Sequence, residues 1–268
     1  MADNRSTPRR PVKAAGKGGK KSRGGGKKRI AGIAGMVLAG IIVLALIVSG
    51  IFYLSVDLPE PNEDYTTQTT SIYYRDGTTK LGELSVQNRT EVDYSTMAEP
   101  MKNAIIAAED RTFWTNHGIS PKGMFRSLWA IARGEELQSG STITQQYIKI
   151  RYLTSAQTMS RKLKELALAV KINRTVSKEE ILSGYLNTVY FGRGAYGIEA
   201  ASKAFFNKSA KDLSPSEAAL LAGILPSPSA WDPAENPEKA QERWERVLQF
   251  MADDDYITQQ QYNDAKQG

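Results

Sequence analysis

Glu109 and Asp110 stand side by side at the end of the apolar run AIIAA, followed by Arg111, Phe113, Trp114 and His117, the one histidine of the chain. Two carboxylates at a helix C-terminus face the negative end of the helix dipole, which carries a cost. That cost points to a purpose for at least one of them, with a structural salt bridge to Arg111 as the plain alternative. A solitary histidine builds neither a metal cluster nor, by itself, a Ser/His/Asp triad, so His117 alone reads as a structural residue. The chain has no cysteine, which excludes disulfides and thiolate metal sites and leaves the redox compartment open. Further on, GSTITQQYIK sets Ser141, Thr142, Thr144, Gln145 and Gln146 behind Gly140. So dense a set of neutral donors and acceptors fits a hydroxyl-rich ligand such as a sugar, and a solvated turn is the alternative. In RKLKE, Arg161 and Lys162 fall four and three residues before Glu165, on one helix face. The pattern reads either as a solvated ion-pair face or as a carboxylate beside cations that can meet phosphate.

These residues need helices to hold them. The spacing predicts one helix over about Thr158–Asn173, with Leu163, Leu166, Ala167 and Val170 on a single stripe. Ser177 with Glu180, and Ser214 with Pro215 and Glu217, have the form of capping boxes that start two more. An amphipathic helix over about Pro237–Met251 and a short helical segment from near Thr258 complete the C-terminal part. Before all of these, SIYYRDGTTKLGEL reads as two short strands around an Asp76-Gly77 turn. The predicted fold class is mainly α with a small β entry.

The charge is concentrated in a tail. Residues 1–29 hold eleven Lys/Arg against Asp3, about +10, whereas the whole chain of 268 residues carries +6, so the remainder is acidic. Such a tail, rich in glycine, is predicted to be disordered against anionic headgroups, and no nucleic acid is expected as a partner. From Ile30 to Val56 the chain is uncharged and apolar, about 27 residues or roughly 40 Å as a helix, enough to cross a hydrocarbon core of about 30 Å. The run exceeds the core of a signal peptide and lacks a small-residue cleavage site, so it reads as an uncleaved anchor rather than a buried core helix. Basic residues crowd before it, while Asp57, Glu60, Glu63 and Asp64 follow it. The positive-inside rule then places the N-terminus in the cytoplasm and the rest outside the cell membrane.

Taken together, E-D-x-x-F-x-x-H-x-G (Glu109 to Gly118), G-S-T-I-T-Q-Q (Gly140 to Gln146), R-K-x-x-E (Arg161 to Glu165), Y-L-N-x-x-Y-F-G-x-G-x-x-G (Tyr185 to Gly197) and E-A-A-L-L-A-G-x-L-P (Glu217 to Pro226) resemble the five ordered motifs of family 51 peptidoglycan glycosyltransferases. These are the glycosyltransferase domains of class A penicillin-binding proteins and the monofunctional transglycosylases. The resemblance runs from about residue 72 to 233. It implies a lysozyme-like, two-lobed domain that polymerises lipid II into β-1,4-linked glycan with inversion and release of the lipid pyrophosphate. It implies Glu109 as the general base, its pKa raised by burial among Phe113 and Trp114, and Glu165 as a second carboxylate that orients or assists at the pyrophosphate. Asp110, His117, Arg126, Ser141, Thr144, Gln145, Gln146, Lys149, Arg161, Lys162 and Asn187 are the substrate-binding residues it implies. Of these, Asn187 shapes the cleft floor with Tyr190 and Gly192, and Ser141 and Gln146 are equally candidates to pin a mobile segment. No metal-ligand cluster is visible in the sequence, and Mg²⁺ or Mn²⁺ at the pyrophosphate is the one cofactor the resemblance leaves open. It makes the stretch from Ile119 to Leu137, with Met124, Phe125, Leu128, Trp129 and Ile131, a membrane-dipping lobe. Ile150, Gln157 and Asn173 depart from the family pattern.

The expected layout is a basic tail (1–29), a transmembrane helix (30–56), a spacer with a short β segment (57–96), a glycosyltransferase domain (97–235) and a helical connector (236–268). The connector resembles one that leads to a transpeptidase domain. The absence of that domain here is expected to reflect either truncation or a monofunctional enzyme that kept the connector, and no penicillin binding is expected. Expected partners are lipid II, the growing glycan chain, the membrane, and proteins of cell-wall synthesis or division. A non-catalytic scaffold of the cell-wall machinery is the main alternative. A lytic muramidase fits less well, because a glycosidase must protonate an alcohol leaving group whereas pyrophosphate leaves as an anion.

Overall fold

A computed structural model describes residues 24–58, 70–75, 80–84, 88–133, 140–153 and 158–267. Most of the basic tail (1–23), most of the spacer (59–69), the Asp76-Gly77 turn and Gln157 lie outside the described residues. The chain divides into two units, Met1–Ser55 and Val56–Gly268.

The first unit contains one helix, α1 (Gly24–Ser55), which begins within the basic segment. Its stretch Gly35–Ser55 has a mean hydropathy of 2.7 and no buried surface, and is the one helix among the described residues long and apolar enough to cross a membrane. Ile41, Leu44, Ile47 and Ile51 are all exposed. Such a helix satisfies its own backbone groups, which is the condition for crossing hydrocarbon.

The second unit is mainly helical, as expected. A hairpin opens it: β1 (Thr70–Tyr73) pairs antiparallel with β2 (Lys80–Leu84), Thr70 opposite Leu84. After β3 (Asn88–Arg89) comes α2 (Glu99–Glu109), the central helix, whose Met101, Ala104, Ile105 and Ile106 are completely buried. It packs against α8 (Pro215–Ile224) and α9 (Pro237–Asp253). Close approach is possible because α8 is built of small residues. A Cβ on its Gly223 would lie 3.1 Å from the backbone of Arg243 in α9. On α9, Ala240, Val247, Leu248 and Met251 form the buried stripe, and α10 (Gln259–Gln267) follows.

A second group of helices completes the core. α4 (Ile143–Tyr152) packs on both α5 (Met159–Thr175) and α6 (Lys178–Thr188), burying Ile143 and Ile148 against stripes that include Leu168, Ile172, Ile181 and Leu186. Both capping boxes form as expected, at Ser177 with Glu180 and at Ser214 with Glu217, and Thr142 with Gln145 makes a third at the start of α4. Thr158 caps α5. Between α6 and α7 (Ile198–Phe206), β4 (Tyr190–Gly192) and β5 (Ala195–Tyr196) form a tight hairpin, and β3 pairs parallel to β5. α3 (Pro121–Arg133) carries an exposed aromatic pair: Phe125 and Trp129 are 68% and 54% exposed and stack with ring centroids 6.4 Å apart, with the Arg133 guanidinium 4.9 Å from the centre of the Trp129 ring.

The loop from Asp110 to Gly118 follows α2, and Gly118 fixes where it ends. Its φ of +86° is a conformation that side chains disfavour, and a Cβ there would fall 2.2 Å from the Ala169 carbonyl oxygen of α5. Gly118→Ala is therefore expected to destabilise the second unit by about 2–3 kcal/mol. A fall of roughly 5–10 °C in the thermal midpoint of the detergent-solubilised protein would register it. An unchanged midpoint would show that α5 can move away from this loop.

Candidate active site

Asp110 ends α2 and organises the loop that follows. Its Oδ1 accepts from the Thr112 hydroxyl at 2.9 Å and from the Asn116 amide at 3.1 Å. Its Oδ2 accepts from Asn116 Nδ2 at 2.8 Å and from the backbone N–H of Ile143 at 3.3 Å, at the start of α4. The negative charge at the unfavourable end of α2 is thus placed at the favourable end of α4. Asn116 in turn accepts from the Gly118 N–H (3.0 Å) and from Lys178 Nζ (3.0 Å), and that ammonium lies 4.7 Å from the centre of the buried Phe113 ring. Burial lowers the pKa of Lys178, against the opposing pull of Asp110. Arg111 makes no pair with either acid; it binds Asp254 through Nε at 2.7 Å and through Nη2. The salt bridge considered from the sequence is therefore replaced by one to the end of α9.

Glu109 faces the other way. Its Oε2 accepts from Gln146 Nε2 at 2.6 Å, and Gln146 Oε1 accepts from the Tyr185 hydroxyl at 2.9 Å. No cation touches the Glu109 carboxyl among the described residues. Burial pushes its pKa above the ordinary carboxylate value, while the Gln146 hydrogen bond and the charge of Arg243 pull it down and Asp110 pushes it up. Tyr185 is completely buried, and burial together with the Glu109 charge raises its pKa well above the usual value, so it remains a hydroxyl donor.

Glu165 has the opposite surroundings. It is 2% exposed, and its oxygens accept from Arg161 Nη1 at 3.0 Å, from Lys162 Nζ and from Gln145 Nε2 at 3.3 Å. Lys162 also donates to Ser141 Oγ at 3.3 Å. A buried carboxylate with two cations is a counter-ion that orders those cations. The two carboxylates are thus separated chemically: one is enclosed with a neutral donor, the other clamped by cations.

Several residues expected to bind substrate have tasks inside the protein. Asp110 is occupied by the loop. The Gln145 amide closes the Thr142 capping box through Oε1 and holds Glu165 through Nε2. Gln146 holds Glu109. Thr144 is completely buried, with a hydroxyl that finds no partner among the described residues. Asn187 staples its amide to the backbone of Val92, donating and accepting at 3.0 Å each, and so secures the chain leading into α2. By contrast, Arg126 on α3 and Lys149 on α4 are exposed and form no ion pair among the described residues. His117 is exposed on the loop. α3 is held beside this region by Gly140, where a Cβ would meet Gly123 O at 2.6 Å.

Some contributors were not singled out from the sequence. Tyr185 stood inside a quoted motif without a role, although a buried tyrosine requires a partner for its hydroxyl. Arg243 carries no such signal. It lies on α9, where Nε donates to Gly223 O at 3.1 Å and the guanidinium stacks on Trp231 at 4.9 Å. Its effect on Glu109 arises only from the packing of α9 on α2.

A resident divalent cation finds no fitting donor set. No three His, Cys, Asp or Glu side chains cluster to hold a metal among the described residues. Glu165, the carboxylate nearest in role, already has both oxygens on cations and Gln145.

Comparison with known proteins agrees with these motifs. The transglycosylase family model matches residues 77–252, a span that takes in nearly all of α9, beyond the boundary at 235 expected from the sequence. Penicillin-binding protein 1A of Mycobacterium tuberculosis is 42% identical over 223 residues, covering 81% of this chain and 27% of that protein. Penicillin-binding protein 1A of Aquifex aeolicus is 40% identical over 242 residues, covering 89% and 33%. A crystal structure of penicillin-binding protein 1A from Haemophilus influenzae aligns with a TM-score of 0.42 at 23% identity, covering 74% of this chain and 20% of that one. The chain therefore spans about a quarter to a third of the curated relatives it matches. With five motifs in order and a family match over most of its length, this chain belongs to the transglycosylase family.

Proposed function

We propose that this chain is a peptidoglycan glycosyltransferase that polymerises lipid II at the outer face of the cell membrane. The observation that carries the reading is the contrast between the half-buried Glu109, held by a neutral amide, and the buried Glu165, held by cations. The transfer needs a base to take the proton of the acceptor sugar's 4-hydroxyl as that oxygen attacks the anomeric carbon of the growing chain. Glu109 fits this task, being enclosed, held by a neutral amide and raised in pKa. The bond to the lipid pyrophosphate breaks with its electrons leaving on the phosphate oxygen, so this end of the reaction needs positive charge rather than an acid. Arg161 and Lys162, ordered by Glu165, supply it, with the unpaired Arg126 and Lys149 as further candidates. One displacement at an α-linked donor yields the β-1,4 product. His117 and Ser141 remain candidates for sugar or phosphate contacts.

The anchor reading is supported by α1, and the basic residues before it support a cytoplasmic N-terminus by the positive-inside rule. The exposed Phe125 and Trp129 fit a surface that rests in the lipid interface, where a lipid-borne substrate arrives sideways. Proteins of cell-wall synthesis or division are the partners this role calls for. The domain is best drawn to include α9, because α9 packs on α2 and α8.

Purified protein given labelled lipid II in detergent should form polymer resolved by size, and Glu109→Gln should lose at least roughly 100-fold in rate. Retention of the parental rate in Glu109→Gln would remove Glu109 from the role of base. Absence of polymer from either protein, with lipid II bound, would favour a non-catalytic scaffold. The base must be deprotonated to act, so the rate should fall as pH drops through a midpoint above the ordinary value of 4.5. A midpoint at or below that value would contradict the enclosed carboxyl. Phe125→Ser combined with Trp129→Ser should raise the KM for lipid II in vesicles several-fold, with kcat unchanged. Both residues are exposed, so the thermal midpoint should not move; an unchanged KM would remove them from substrate entry.

A further inference from the structure

Behind the enclosed carboxylate lies a buried hydroxyl that the reaction itself does not require. Tyr185 sits on the face of α6 turned toward α4, where the two helices come close. A Cβ on neighbouring Gly184 would lie 2.7 Å from the Tyr147 ring of α4. This approach brings the Tyr185 hydroxyl to 2.9 Å from Gln146 Oε1, and Gln146 Nε2 to 2.6 Å from Glu109 Oε2. A carboxamide has one accepting end and one donating end. An ionised carboxylate only accepts, so Gln146 must turn its NH₂ toward Glu109, leaving its carbonyl oxygen buried and in need of a donor. Tyr185 is that donor, because deprotonation is disfavoured by burial and by the Glu109 charge. With both amide ends satisfied, a flipped amide would leave two mismatched contacts. Glu109 Oε1 has no hydrogen-bond partner among the described residues.

We propose that Tyr185 is a positioning residue for glycosyl transfer. Through Gln146 it holds the Glu109 carboxyl with Oε2 occupied and Oε1 free to take the acceptor's proton. The proposal rests on the reading of Glu109 as general base. As the acceptor oxygen bonds to the anomeric carbon, its proton passes to Oε1, and Oε2 becomes the carbonyl oxygen of a neutral acid. That oxygen still accepts from Gln146, so the arrangement serves both protonation states and Tyr185 never carries the transferred proton. The charged groups that bear on Glu109 are Asp110 beside it on the chain and Arg243 from α9, and the titratable neutral group is Tyr185 itself from α6. Gln146 of α4 is neutral, and Glu217 of α8 is held by Lys208 and Ser214 at the other end of that helix.

The test compares the parent chain, Tyr185→Phe, Gln146→Ala, the double variant and Glu109→Gln, all full length in detergent with labelled lipid II. Tyr185→Phe keeps the buried ring and removes the donor. Its kcat should fall roughly tenfold with KM within twofold of the parent, the loss expected for one hydrogen bond serving a charged group. Its acid limb should move to higher pH, because an amide free to turn away no longer lowers the pKa of Glu109. The double variant should be no slower than Gln146→Ala alone, since both changes break one chain of contacts. Rates are compared below the thermal transition of the least stable variant, so that unfolding does not enter. An unmoved acid limb, or losses that multiply in the double variant, would overturn the proposal and reduce Tyr185 to packing. Should Glu109→Gln retain the parental rate, the base reading itself would fall. An inactive Glu109→Gln beside a Tyr185→Phe with the parental profile would overturn the positioning role alone.

Discussion

The 2.6 Å hydrogen bond from Gln146 to Glu109 is the contact on which the arrangement of this site turns. A carboxylate taken out of water costs several kcal/mol unless it gains partners, and a cation is the usual one. A cation here would lower the pKa and remove the basicity that proton abstraction needs. A single neutral donor is a compromise: enough to keep the charged form accessible, too little to cancel the effect of burial. Everything that fixes the Gln146 amide therefore bears on the chemistry of Glu109. That includes Tyr185 on α6 and the close approach of α6 to α4.

The same helix serves the second carboxylate. Gln145 and Gln146 are consecutive, and residues one apart on a helix point about 100° from each other. Gln145 is thereby turned toward α5 and Glu165, and Gln146 toward α2 and Glu109. The Thr142 capping box restrains Gln145 further, because its side-chain oxygen is held by the Thr142 N–H while its nitrogen reaches Glu165. One turn of α4 thus holds the half-buried Glu109 and the buried Glu165 and keeps their environments apart, one neutral and one cationic. The separation lets two glutamates in one domain do different chemistry.

Position along the chain comes from the loop after α2. Asp110 ties the loop to itself and to the N-terminus of α4, Gly118 lets it lie against α5, and Arg111 anchors its outer side to Asp254 beyond α9. The start of α4 is therefore tied to the end of α2, which sets Gln146 opposite Glu109. It also ties α9 to the surroundings of Glu109, since α9 carries both Arg243 and the approach to Asp254.

Much of this was legible in the sequence. Helix starts at Ser177 and Ser214 were readable because capping is local: a side chain and a backbone N–H three residues apart need no distant partner. The apolar run of α1 and the Arg161–Glu165 spacing were readable for the same reason. The motifs also singled out Glu109 and Glu165, which the structure gives different partners. Their division of labour was not readable. Asp110, Gln145 and Asn187 looked like groups for a ligand, and tertiary packing gave each a partner in the protein. Whether a polar side chain faces substrate or secures a neighbour depends on which distant helix lies across from it. Gln146 meets residues 37 and 39 positions away, and Arg243 acts across the packing of α9 on α2. The sequence by itself determined the family motifs and the helix starts that present them. Only the tertiary structure decided that Glu109 meets a neutral amide and Glu165 two cations, because Gln146 lies on a helix that the sequence does not place opposite α2.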